Sequence, residues 1–177
     1  MGPRVEAGAT SHELTRRRRR AELVADGRTI YFASNRSGSW GVWKTDARNG
    51  AASALTTQGG FAAFESGDAV YFTRHASPGL FRVARTGGQA TRVAEGPQCW
   101  GHWAMGRDGV YFLAAGAAGR TSLAFLRFGA EAPVRAGSFA FRAPCAESSL
   151  AVSPDGREVL YVAAQEAADL MLAESPR

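Results

Sequence analysis

An all-β fold of about four repeated sheets is what this sequence predicts, and three observations predict it. Four times a tight Asp-Gly-type turn runs straight into an aromatic or β-branched strand. These strands follow Asp26-Gly27, Gly67-Asp68, Asp108-Gly109 and Asp155-Gly156. Their tyrosines stand at 31, 71, 111 and 161, in steps of 40, 40 and 50. Glycine is abundant, at 21 residues, and mostly separates apolar runs, as in short strands joined by tight turns. A repeat near 40 residues with several strands per unit is the pattern of a β-propeller, in which each sheet buries its faces against its neighbours.

Each unit reads as four antiparallel strands, a to d, over 21–58, 59–96, 97–140 and 141–177. In unit one, strand a falls near Ala21–Ala25, b at Thr29–Asn35 and c at Trp40–Thr45. Asn49-Gly50 is a hairpin signal because both positions tolerate positive φ, and d follows at Ser53–Thr57. Unit two places a at Phe61–Glu65, b at Ala69–Arg74, c at Leu80–Arg85 and d at Ala90–Ala94. Unit three places a at Trp100–Met105, b at Gly109–Ala114, c at Ser122–Phe128 and d near Val134–Gly137. The ten extra residues before the last tyrosine fall around Gly137–Glu147. Unit four offers a at Leu150–Ser153, b at Val159–Ala163 and c at Leu170–Ala173, and lacks d. Ala163–Glu174 is rich in helix formers, yet the repeat requires a hairpin there. Glu13-Leu14-Thr15 resembles Ala54-Leu55-Thr56 and would supply the missing strand, leaving no free edge.

Size and charge bound the function. A chain of 177 residues, 45% hydrophobic and 21% charged, can bury one core. The net charge of +5 resides in Arg16–Arg20; the remaining 16 basic residues equal the 16 acidic ones. The run has no interleaved aromatic or polar partner. Residues 1–20 are therefore read as a disordered basic tail, which argues against nucleic acid as the main partner, and nucleic-acid association through Arg16–Arg20 stands as an alternative function. Cys99 and Cys145 do not make a disulfide scaffold; one bridge is open, and buried thiols are the expectation. No apolar run is long enough to span a bilayer, and residues 1–20 lack the apolar middle of a secretory signal. As written, the chain reads as soluble and cytoplasmic.

Ser153-Pro154-Asp155-Gly156, Ser34-Asn35-Arg36-Ser37-Gly38 and Ala54-Leu55-Thr56 resemble the repeat of the TolB-like, WD-repeat-like propeller family. Glu65-Ser66-Gly67 and Gly106-Arg107-Asp108-Gly109 keep the turn without the leading Ser-Pro. The resemblance runs from about Asp26 to Glu174. It is nearest the last blades of bacterial proteins that join a winged-helix DNA-binding domain to a TolB-like propeller. The Gly60–Ser66 segment, Cys99-Trp100-Gly101 and Asp169–Glu174 carry that part of it. This chain has no winged helix and too few units for a six- to eight-bladed ring, so it reads as a fragmentary relative, and DNA binding does not carry over. The resemblance implies protein or peptide partners and sensory, regulatory or envelope-associated roles, often periplasmic. It also extends to the gating propeller of prolyl-oligopeptidase-type peptidases, which would make this chain an accessory to a hydrolase domain. A homodimer completing the ring is a further partner reading.

No catalytic set is visible. Gly38-Ser39-Trp40-Gly41 fails the nucleophile-elbow spacing, and no glycine loop with a following Lys would cradle phosphate. His12, His75 and His102 lack metal-ligand spacing, so neither metal nor cofactor is expected. The four tryptophans read chiefly as packing between blades. In a propeller the d–a and b–c connections crowd one face. That mapping makes Arg36, Arg74, His75, Trp100 and His102 the candidate ligand-binding residues and leads to a non-enzymatic binding module.

Overall fold

The computed structural model describes the backbone of residues 18–23, and residues 27–75, 77–97, 99–117, 120–140, 145 and 150–162 in full. Every regular element among them is a strand. The first sheet holds β1 (Arg18–Leu23), β2 (Thr29–Ser34), β3 (Gly41–Asp46) and β4 (Ala52–Ala54). The second holds β5 (Phe61–Ser66), β6 (Ala69–Thr73), β7 (Leu80–Ala84) and β8 (Thr91–Ala94). The third holds β9 (Trp103–Met105), β10 (Gly109–Ala115), β11 (Thr121–Arg127) and β12 (Val134–Phe139). Each of the three is an antiparallel meander of four strands. The fourth pairs β13 (Leu150–Val152) with β14 (Val159–Tyr161), two strands among the described residues. This is a partial propeller. The expected strand at Leu170–Ala173, the Ala163–Glu174 hairpin and the closing strand at Glu13-Leu14-Thr15 lie outside the described residues.

Alternation along the b strands builds the core between the sheets. Val70 and Phe72 face the first sheet, where they meet Tyr31, Val42 and Leu55. Ala69 and Tyr71, on the other face of the same strand, meet Trp103, Val110, Phe112 and Leu126 of the third. Leu113 and Tyr111 in turn pack with Leu150, Val152 and Val159 of the fourth. A two-residue period thus lets one strand serve two cores. Such a sheet, buried on both faces, depends on its neighbours for stability.

The structure corrects two sequence expectations. The first inner strand is Arg18–Leu23, not Ala21–Ala25, so the backbone of Arg18, Arg19 and Arg20 belongs to a sheet and not to a tail. Its register with β2 shifts between Arg19 and Ala21, a bulge that resets the alternation. The fourth tyrosine is also out of phase. The turn glycines Gly27, Gly67 and Gly156 all adopt φ near +65°, the left-handed region that glycine enters without a Cβ penalty. Four residues on stand Tyr31, Tyr71 and, in the last unit, Leu160. Leu160 is 75% exposed, whereas Tyr161 contacts Phe139 of the third sheet at 4.4 Å between ring centroids. Tyr161 therefore occupies the place of Phe32, Phe72 and Phe112, and the structural step is 49 residues.

Candidate ligand-binding cleft

The b–c connections and the d–a links lie at one end of the sheets. Between the first and second sheets they enclose a cleft of about 420 Å³, a size suited to a small ligand or a few side chains of a peptide. Its walls are Ser39, Trp40, Gln58, Phe61, Arg74 and His75, completed by Gly59 and Ser77. The d–a link reaches the second sheet close against the first: Gly41 and Gly59 form a parallel bridge. Gly60 leaves no room for a side chain beside Val42.

Phe61 is the hub. A register shift between Phe61 and Phe64, with Ala62 at φ +47°, sets it apart from the regular ladder at the start of β5. Its ring centroid lies 5.1 Å from Trp40, 5.5 Å from His75 and 5.7 Å from Trp100, all tilted. Offset and tilted aromatic contacts of this kind are favourable. Trp40 and Trp100 are half-buried and His75 is exposed, so the cluster is open to solvent at its rim. Thr73 fixes the floor. Its hydroxyl lies 2.8 Å from the Trp100 carbonyl and 3.2 Å from that of Phe61. The Trp103 indole N–H donates to the same Trp100 carbonyl at 3.1 Å.

Arg74 is the cation of the cleft. Its guanidinium carbon sits 4.1 Å from the Phe81 ring centroid, a cation–π contact. Its buried Nε has no hydrogen-bond partner, and no carboxylate pairs with it among the described residues. The cleft lining contains no Asp or Glu. A buried N–H left without an acceptor is costly.

The Cys99–Cys145 bond braces this end from behind, with Cα atoms 5.5 Å apart. It joins the link that carries Trp100 to the next d–a link. The expectation of two buried thiols is therefore corrected. The distant halves of the pair meet because successive blades bring equivalent links side by side, a proximity that sequence separation conceals.

The candidate residues are sorted by this geometry. Arg74 and His75 line the cleft, and Trp100 flanks Phe61. Arg36 does not join them. Its guanidinium carbon lies 5.2 Å from Phe32 and 4.8 Å from Trp43, and its Nε donates to Ser34 Oγ at 3.2 Å. It caps the paired rings of β2 and β3 as Arg74 caps those of the second sheet, but on the face turned away from the cleft. His102 is 5% exposed and closes a backbone turn, its N–H donating to the Cys99 carbonyl. Burial removes it from the ligand surface. Trp40, Gln58 and Phe61 are cleft residues that sequence reasoning did not select. Phe61 carried the signal of an ordinary inward strand residue, and only its bulge tells otherwise.

The other end of the same sheet pair is polar. A groove of about 840 Å³ there holds Tyr31, Lys44, Asp68 and Arg85. The Tyr31 hydroxyl donates to Glu65 Oε2 at 2.8 Å, and Arg85 Nε pairs with the same oxygen at 3.1 Å. Burial, and then the Glu65 carboxylate, push the Tyr31 phenol up to about 12. Among the described residues no group of His, Cys, Asp or Glu is placed to hold a metal ion, and no helix is long and apolar enough to cross a membrane.

No family model matches the chain, and no curated protein matches it. Solved structures do. TolB from Acinetobacter baumannii superposes with a TM-score of 0.63 at 15% identity, covering 82% of this chain and 37% of TolB. The fold is that of a TolB-like β-propeller. An oligogalacturonate lyase in complex with manganese matches at a TM-score of 0.55 and 16% identity, over 64% of this chain and 38% of the lyase. The oligogalacturonate lyase of Vibrio parahaemolyticus matches at 0.56 and 12%, over 70% and 41%. The chain spans about two fifths of these proteins, and identities this low establish the fold alone. That fold accommodates both a lyase and TolB.

Proposed function

We propose that this chain is a non-enzymatic propeller module that binds a protein or peptide segment at the cleft between its first two sheets. The observation that carries the proposal is the open aromatic cluster of Trp40, Phe61 and Trp100 beside Arg74, whose charge no carboxylate neutralises among the described residues. Phe61 is buried while Trp40 and Trp100 are half-buried around it, and half-buried tryptophans near an arginine are the composition of interface hot spots. The Cys99–Cys145 bond supports work in an oxidising compartment and favours a periplasmic over a cytoplasmic setting, since such bonds rarely persist in reducing cytosol.

An immobilised array of acetylated, amidated peptides tests this reading with the intact disulfide-bonded chain. Saturable binding to a subset of sequences is expected, lost on Trp40→Ala, with the circular dichroism of that variant still showing the folded β-sheet spectrum. A folded sample that binds no peptide, or that binds equally well without Trp40, defeats it. Formation of unsaturated sugar product from oligogalacturonate would defeat the non-enzymatic part separately.

A further inference from the structure

The cleft also specifies what kind of peptide it takes, an inference that rests on the binding role above. The Arg74 guanidinium is held over Phe81 at 4.1 Å, so little side-chain freedom remains to be lost when a ligand arrives. Its Nε is buried and without an acceptor, and the cleft lining supplies one arginine and no acid. The two salt-bridged arginines of the same sheet, Arg85 with Glu65 and Arg92 with Glu95, show what is missing here. The same cleft is lined by Phe61, whose ring is flanked by Trp40 and Trp100. A planar guanidinium that no described carboxylate pairs with matches a carboxylate, and the adjoining rings match an apolar side chain.

We propose that this cleft recognises an acidic peptide in which a carboxylate follows an apolar residue, the carboxylate pairing with Arg74 and the apolar side chain seating against the half-buried tryptophans, Trp40 and Trp100, that flank the buried Phe61 ring.

Isothermal titration of the disulfide-bonded chain with four probes tests this. The probes are acetyl-Ala-Phe-Asp-Ala-amide, its Asn counterpart acetyl-Ala-Phe-Asn-Ala-amide, acetyl-Ala-Ala-Phe with a free C-terminal carboxylate, and trigalacturonate. The Asp peptide is expected to bind at least tenfold more tightly than the Asn peptide. The difference should shrink below threefold in Arg74→Gln and weaken as salt rises. Because the decisive change is made in the peptide, it stands even where Arg74→Gln fails to fold. Tighter binding of the free-carboxylate peptide than of the Asp peptide would keep the carboxylate pairing and assign it to a chain end. Equal binding of the Asp and Asn peptides overturns the carboxylate inference while leaving peptide binding intact. Binding of neither peptide overturns the functional reading as well. Trigalacturonate binding more tightly than every peptide overturns the peptide as occupant.

Discussion

Gly60→Ala tests how closely the first two blades meet. An added Cβ would lie 2.5 Å from Val42 Cγ2, 2.6 Å from the Val42 backbone nitrogen and 3.1 Å from the Gly41 carbonyl carbon. Ordinary carbon contacts begin near 3.5 Å, so the overlap is about 1 Å. The Val42 side chain could rotate, but its backbone cannot easily withdraw. Its N–H donates to Thr56 Oγ1 at 3.0 Å, and its carbonyl accepts from the N–H groups of Leu55 and Thr56. Overpacking against fixed backbone costs about 3 kcal/mol, the upper end of the usual range. Gly50→Ala is the control. It meets nothing within 4 Å but sits at φ +68°, so only the left-handed strain of about 1–2 kcal/mol applies. Urea denaturation followed by tryptophan fluorescence measures both. With a slope of about 2 kcal/mol/M, the Gly60 variant should lose about 1.5 M in midpoint and the Gly50 variant less. A Gly60→Ala midpoint within 0.2 M of the parent, or a larger loss for Gly50→Ala, would refute the close crossing and the blade packing built on it.

Three further outcomes are expected. The Tyr31 phenol is raised in the fold to about 12 from an ordinary value near 10, so its protonated form contributes stability that is fully present below pH 10. That contribution is lost as pH climbs from 10 towards 12 and reaches about 2–3 kcal/mol; Tyr31→Phe should flatten the stability curve over that window, and an unchanged slope would contradict it. Replacing both Cys99 and Cys145 by Ser opens a link of sequence separation 46, which in the chain-entropy account costs about 4 kcal/mol; thermal unfolding with and without reductant checks it, and a reductant-insensitive parent would count against the bond. Phe72, wholly buried between the first two sheets and stacked on Phe81, should cost about 3–5 kcal/mol when cut to Ala, read as a lowered urea midpoint.

Sequence showed the b and c strands well, because an Asp-Gly turn and strict alternation leave little choice of register. It erred where the local signal is weak. Arg18–Arg20 carry no strand propensity, yet β2 offers their backbone a partner, and sheet context prevails. Tyr161 looked like the fourth member of a tyrosine series, but the turn glycine at 156 fixes the register and moves Leu160 into that place. Arg74 and His75 of the cleft, and Trp100 behind Phe61, were legible from connection position alone. Phe61 was hidden because a bulge, not composition, sets its place, and Trp40 because tryptophan in a strand repeat normally means packing. The disulfide was illegible because proximity between successive d–a links is a tertiary fact.

The most direct test of the ligand-binding cleft uses the indole N–H resonances of the four tryptophans during titration with acetyl-Ala-Phe-Asp-Ala-amide. Trp40 and Trp100 border the cluster, Trp103 is buried beneath it, and Trp43 lies beside Arg36 on the far face of the first sheet. The signals of Trp40 and Trp100 should move together with one saturation curve while that of Trp43 stays in place. A shift of Trp43 with Trp40 and Trp100 unmoved would contradict the cleft as the binding site.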